Sequence, residues 1–168
     1  MIYSISSIGQ DSHRFEESKT DKDLILAGIK IDSEYALLGN SDADVVYHAV
    51  TNAISGLMCE PVLGAMADTM CDTGIKDSSA YLIYALELLK EKRPDISLTH
   101  LSISIEAKKP KLLKYFSDMR QSLAEKLNLN ERSIAITATT GEGLTGMGRG
   151  EGIQVICILS AIVDTSIC

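Results

Sequence analysis

Asp11 and His13 stand two residues apart, just after an apolar run from Ile2 to Ile8 that reads as a strand. If the extended backbone continues through them, their side chains share one side, because strand side chains alternate. A carboxylate and an imidazole so placed make two of the three protein ligands of a common zinc site. His48 is the candidate third. It falls in a stretch, Asp42 to Met58, that reads as a helix with Val45, Val46, Ala49, Val50, Ala53, Ile54 and Leu57 on one apolar stripe. His48 lies nearly opposite that stripe. Three protein ligands leave a tetrahedral zinc one open position, the mark of a catalytic metal. A zinc-binding His usually gives its other ring N–H to a carboxylate, and Asp44, one turn before His48, stands ready as that partner. The pattern alone leaves a plainer alternative open, with Asp11 and His13 in a turn and His48 on a solvated helix face. His100 has no evident partner and reads as structural.

A second candidate is Glu142, set between Gly141 and Gly143 just after a strand marked by Ile134, Ile136 and Ala138. Glycines let a backbone approach a phosphate closely, and a lone carboxylate suits Mg²⁺ shared with substrate phosphates. A surface turn is the alternative. The glycines at 146, 148, 150 and 152 match neither the dinucleotide fingerprint nor the P-loop. Lys108, Lys109 and Lys111 bracket Pro110 ahead of a third helix, Lys111 to Leu127. Free N–H groups at a helix start with lysines nearby favour phosphate, a solvated basic turn being the alternative.

The elements that must position these groups read as α/β (α+β): about four main strands in a mixed sheet, a small β element and three helices on one face. Leu24–Ala27 and Ile29–Ile31 flank Gly28 as two short strands. Residues 59–76 read as a long irregular loop, and Ser78–Lys92 as the second helix, capped by Asp77 or Ser78. Ser41 or Asp42 is the expected cap of the first helix. Leu101, Ile103 and Ile105 alternate with polar residues as a half-buried strand does. Ile153 to Val163 is almost wholly apolar, as a strand buried on both faces would be, so another subunit is expected to cover the far face.

A chain of 168 residues with 45% hydrophobic and 23% charged content fits one domain over 1–168. Its net charge of −7 argues against nucleic-acid binding. A phosphate ligand must therefore be held locally, by a metal, a few cations or backbone N–H groups. The cysteines at 59, 71, 157 and 168 form no C-x-x-C pair and read as reduced thiols. No signal-like N-terminus and no apolar run of about 20 residues is present, so a cytoplasmic protein away from membranes is expected.

Taken together these stretches resemble one family, 2-C-methyl-D-erythritol 2,4-cyclodiphosphate synthase of the non-mevalonate isoprenoid pathway, in order and over nearly the whole chain. Asp11-Ser12-His13 matches its D-x-H, and Leu37 to Asp44 followed by His48 matches its L-L-x-H-S-D-G-D-x-x-x-H. Ala107 to Leu113 resembles its A-x-x-P-K segment, Thr139 to Leu144 its T-T-x-E-x-L, and Gly148 to Gly152 its G-R-G-E-G. The resemblance implies a bacterial homotrimer with active sites between subunits, Zn²⁺ on Asp11, His13 and His48, and Mg²⁺ or Mn²⁺ near Glu142. It implies the substrate 4-diphosphocytidyl-2-C-methyl-D-erythritol 2-phosphate, whose 2-phosphate attacks the β-phosphorus as CMP leaves. The implied substrate-binding set is Asp11, Ser12, His13, Asn40, Ser41, Asp68, Ala107, Lys111, Leu112, Leu113, Thr139, Thr140, Glu142 and Arg149, with Asn40 and Thr140 catalytic. Ala107 and residues 111–113 match the cytidine pocket. Arg149 matches a residue near the trimer axis, where a phosphate or prenyl diphosphate binds. Three departures stand out. Asn40 replaces the usual His before Ser-Asp, and Asn can donate a hydrogen bond but carries no charge. The F-P-x-x-D loop is here Met66-Ala67-Asp68-Thr69, which makes Asp68 the carry-over for the erythritol hydroxyls. Gly146 or Met147 stands where an aromatic is common. Asn40 and the altered loop motivate the alternative of a weakened homologue that binds a cytidine nucleotide or prenyl diphosphate.

Overall fold

The computed structural model describes residues 1–19 and 21–167, and side chains for all of these except 65–68. The apolar run near the N-terminus continues well past Ile8, as one strand β1 (Ile2–Arg14) that carries Asp11 and His13 within it. Along β1, Ile5, Ser7, Gly9, Asp11 and His13 are the more buried set, while the residues between them are exposed. β1 pairs antiparallel over its whole length with β6 (Gly152–Asp164), from Ile2 opposite Asp164 to Arg14 opposite Gly152. β6 pairs antiparallel with β4 (Ile96–Glu106), which pairs parallel with β5 (Ile134–Thr139). The sheet is therefore mixed, in the order β1-β6-β4-β5. A separate hairpin, β2 (Leu24–Leu26) and β3 (Ile29–Ile31), turns on Ala27 and Gly28, both at positive φ. Where the sheet ends, the Met1 amino group donates to Thr165 Oγ1 at 2.8 Å and Thr165 N–H to the Met1 carbonyl at 3.0 Å.

Helix α1 (Val45–Met58) lies across β1 and β6 with its predicted apolar stripe buried. The approach is a backbone contact. A Cβ on Gly9 would stand 1.9 Å from the Ala49 carbonyl oxygen and 2.6 Å from the Ala53 nitrogen, so only glycine fits beneath the helix. α3 (Ser78–Lys92) packs on α1, and α4 (Phe116–Leu127) on β5. Leu101, Ile103 and Ile105 from β4 and Val155, Cys157 and Leu159 from β6 complete one apolar core, and burying such side chains is worth about 1.5–3 kcal/mol each.

Several expectations need correction. α1 starts at Val45, and its cap is Asp44, whose carboxylate accepts from the N–H groups of Val46 and Tyr47; Ser41 and Asp42 lie upstream. Residues 59–76 are not all loop, since α2 (Ala65–Asp72) forms within them. The third main helix begins at Phe116, after a 3-10 turn at Leu113–Tyr115. Pro110 lies in the connection before it, not in its first turn. His100 lies inside β4 and is exposed. β6 is buried on one face only: Val155, Cys157, Leu159, Ala161 and Val163 point inward, while Ile156, Ile158 and Ile162 remain 42%, 45% and 39% exposed. Ile158 sits between the exposed Ile8 of β1 and Ser102 of β4. Nothing among the described residues covers that row of isoleucines, and such a patch marks an interaction surface.

Candidate metal centre

Two elements meet at the end of the sheet where β1 runs into Arg14. β1 presents Asp11 and His13 on one side, and α1, held against Gly9, brings His48 over them. Asp11 Oδ2 lies 3.1 Å from His13 Nε2 and 3.0 Å from His48 Nδ1, and the two ring nitrogens are 3.4 Å apart. Ligands about 2.0–2.1 Å from a tetrahedral zinc stand roughly 3.3 Å from one another. The triangle has that size, so the donor set fits the ion in spacing and in chemistry. Among the described residues this is the group of His, Cys, Asp and Glu able to hold a metal.

The outer nitrogen of each imidazole is also engaged. His13 Nδ1 lies 2.8 Å from the Leu38 carbonyl, which can only accept, so Nδ1 carries a proton, and in the neutral ring Nε2 turns its lone pair inward. His48 Nε2 lies 2.8 Å from Ser78 Oγ at the start of α3. The Asp44 side chain is turned elsewhere, and only its backbone carbonyl meets His48, by accepting the His48 backbone N–H at 3.0 Å within the helix. The buried Asp44 carboxylate accepts from the N–H groups of Ala27 and Gly28 in the hairpin turn, as well as from Val46 and Tyr47. Burial pushes that carboxyl up to about 6 against the pull of these bonds. Burial would also raise Asp11, yet the hydrogen bonds from His13 and His48 outweigh it and hold Asp11 well below the usual carboxylate range. The Asp11 bond raises His13 in turn.

The triad opens into a cleft of about 270 Å³, whose walls include Asn40, Ser41, Cys71 and Tyr81. Two of the remaining expected residues, Asn40 and Ser41, thus join the triad. Asp68 falls in α2, where its side chain lies outside the described residues. Ser12 does not join, because alternation turns it to the opposite side of β1, into a second cleft of about 450 Å³ with Arg14, Met147, Arg149 and Glu151. Arg14 and Arg149 both pair with Glu151 there.

Ala107, Lys111, Leu112, Leu113, Thr139, Thr140 and Glu142 do not line the triad's cleft either. Ala107, Thr139, Thr140 and Glu142 lie at the ends of β4 and β5, where Ala107 N–H donates to the Thr139 carbonyl at 3.0 Å and Glu106 accepts from Thr145 Oγ1, while Lys111, Leu112 and Leu113 follow in the connection from β4 to α4. Glu142 is exposed at φ 50° between Gly141 at 68° and Gly143 at 79°. A non-glycine residue in the left-handed region is strained, and such strain collects at functional sites. Sequence reasoning missed Ser78 as a partner of His48. It stands thirty positions away, a distance at which no periodicity operates. It also missed Cys71 and Tyr81 in the cleft wall.

Comparison with known proteins bears on both clusters. The model of the YgbB family matches residues 5–162. A 2-C-methyl-D-erythritol 2,4-cyclodiphosphate synthase from Chlamydia muridarum is 45% identical over 162 residues, which is 96% of this chain and 89% of that protein. The bifunctional IspDF of Campylobacter jejuni is similar in structure, with a TM-score of 0.83 and 30% identity over 98% of this chain, which spans 43% of that one. A 2C-methyl-D-erythritol-2,4-cyclodiphosphate synthase in a CDP-bound form gives a TM-score of 0.78 at 27% identity, over 94% of this chain and 99% of that one. No helix among the described residues is long and apolar enough to cross a membrane.

Proposed function

The chain belongs to the YgbB family, and on that premise we infer that it is a 2-C-methyl-D-erythritol 2,4-cyclodiphosphate synthase, a phosphorus–oxygen lyase of isoprenoid biosynthesis. Its substrate is 4-diphosphocytidyl-2-C-methyl-D-erythritol 2-phosphate. An oxygen of the 2-phosphate forms a bond to the β-phosphorus, the bond from that phosphorus to the CMP oxygen breaks, and a cyclic diphosphate and CMP result. Both reacting groups belong to one bound molecule, so fixing its conformation supplies much of the acceleration. No covalent enzyme intermediate is needed. The observation that carries this reading is the convergence of the Asp11, His13 and His48 donor atoms on one point of a cleft.

Zinc held by that triad would polarise a phosphoryl oxygen and offset the repulsion between two phosphoryl groups. Asn40, on the cleft wall, donates its amide N–H to a phosphoryl oxygen, with Ser41 beside it. Asp68 takes the erythritol hydroxyls. Thr139 and Thr140 bind and polarise the diphosphate, and Glu142 holds Mg²⁺ or Mn²⁺, a role that its exposed carboxylate and strained backbone support. Ala107, Lys111, Leu112 and Leu113 take the cytidine, largely through backbone groups. Ser12 and Arg149 line a separate cleft, where Arg149 with Arg14 suits a phosphate or prenyl diphosphate.

The triad and the nucleotide-side residues lie apart within one chain, and a face bearing Ile8, Ile156 and Ile158 is bare. Both observations support a single-domain homotrimer whose active sites join the triad of one copy to the nucleotide cluster of the next. A bacterial cytoplasm is the setting proposed, in keeping with the Chlamydia relative.

The test is incubation of the zinc- and magnesium-loaded protein with the diphosphocytidyl substrate. CMP and the cyclic diphosphate are expected. A linear bisphosphate would indicate hydrolysis instead. Zinc uptake with nucleotide binding but no CMP would favour the second reading, a binding-only homologue, for which Asn40 in place of His is the motive.

A further inference from the structure

Ser78 is completely buried at the first position of α3, and its hydroxyl stands 2.8 Å from His48 Nε2. The same hydroxyl donates to Asp42 Oδ1. Asp42 is a dedicated acceptor: its Oδ2 also takes the Ser78 N–H at 3.1 Å, and its Oδ1 the Asp44 N–H at 3.2 Å. A serine hydroxyl has one proton. With that proton committed to Asp42, the oxygen can only accept from His48. Nε2 of His48 therefore carries the ring proton, and in a neutral imidazole the lone pair then lies on Nδ1. Nδ1 is the nitrogen that faces Asp11 Oδ2 at 3.0 Å and His13 Nε2 at 3.4 Å.

We propose that Ser78, braced by Asp42, is the positioning residue of the metal centre: it fixes the tautomer and ring plane of His48 so that Nδ1 is offered to the metal. This rests on the triad's being a metal site. The relay takes the place expected of Asp44, which is committed to the α1 start and the hairpin turn. His13 is served differently, by a backbone carbonyl that no substitution can delete. His48 is thus the ligand whose orientation depends on a replaceable side chain.

The side chain can be removed cleanly. α3 is capped by Asp77, which accepts from Ser79 N–H at 2.8 Å, and the Ser78 N–H bond to Asp42 survives in Ser78→Ala. Only the hydroxyl is lost. Partners of this kind usually account for 10–100-fold in metal affinity.

The experiment uses the metal-stripped full-length chain, titrated with zinc against a chromophoric chelator, alongside thermal unfolding without metal and ¹⁵N spectra of the histidines with zinc bound. Ser78→Ala should bind zinc about 10–100-fold more weakly, with little change in metal-free Tm, and Ser78→Thr should restore most of the loss. In the wild type, the His48 proton should sit on Nε2 and the metal on Nδ1. Wild-type zinc affinity in Ser78→Ala overturns the proposal. So does a zinc-bound wild type with the metal on Nε2 of His48, a result that stands even if Ser78→Ala fails to fold. A wild type that takes up no zinc would refute the metal reading itself.

Discussion

Gly9→Ala tests how the metal centre is held together. The added Cβ would meet the Ala49 oxygen at 1.9 Å, where ordinary contact begins at 3.4 Å, so α1 must retreat by the difference, 1.5 Å, or β1 must bend by as much. Both contacting atoms are backbone, so no rotamer change relieves the clash. His48 precedes Ala49 on the same helix and stands 3.0 Å from Asp11. A retreat of that size opens the spacing well past the roughly 3.3 Å edge of a zinc tetrahedron. Overpacking of this kind costs about 1–3 kcal/mol, and for a chain of this size each kcal/mol lowers Tm by about 2–4 °C. Thermal unfolding of the metal-free Gly9→Ala protein should therefore show a Tm lower by roughly 2–12 °C. Zinc competition should show affinity reduced by at least about tenfold, equivalent to about 1.4 kcal/mol. A variant with wild-type Tm and wild-type zinc affinity would refute the view that helix and strand meet backbone to backbone here.

Other perturbations read other parts of the molecule. Asp44→Ala removes a helix cap and leaves the Ala27 and Gly28 N–H groups without an acceptor; denaturant titration should show a loss of about 2–5 kcal/mol, and a loss below about 1 kcal/mol would contradict the hub role. Because Asp11 raises His13 above its ordinary 6.5, the stability this contributes to the metal-free protein is full below pH 6.5 and fades as pH rises through the folded value. The same proton competes with zinc, so zinc affinity should climb with pH through and above 6.5, and a flat profile from about pH 6 to 8 would count against it. Asn40→His should give equal or greater CMP release, whereas a clear loss would show a cleft built around the amide. Ile158→Glu, on the bare face, should turn the proposed trimer into monomers in sedimentation, and an unchanged sedimentation coefficient would remove that face from the interface.

The parts of the site that were legible in the sequence are those governed by local periodicity. The two-residue repeat of a strand aligned Asp11 with His13, and the helical repeat put His48 off the apolar stripe. The cap of α1 was less legible, because Ser41, Asp42 and Asp44 are all eligible residues; the choice is made by the Ala27–Gly28 turn, which docks on Asp44 from elsewhere in the chain. That same docking removed Asp44 from the role beside His48. α2 escaped notice because it is short and follows Gly64, which offers no side-chain cap. The two-sided apolarity of β6 was read correctly as composition, but one chain buries only half of it.

The clasp between Met1 and Thr165 bears on how this fold can be used in larger polypeptides. Both residues lie at the end of the β1–β6 ribbon opposite Asp11 and His13, about 34 Å away along ten residues of strand. An affinity tag, a surface tether or a second enzyme unit joined at either point would depart from the molecule on the side away from the cleft. Such an attachment leaves the cleft beside Asp11 and His13 unobstructed.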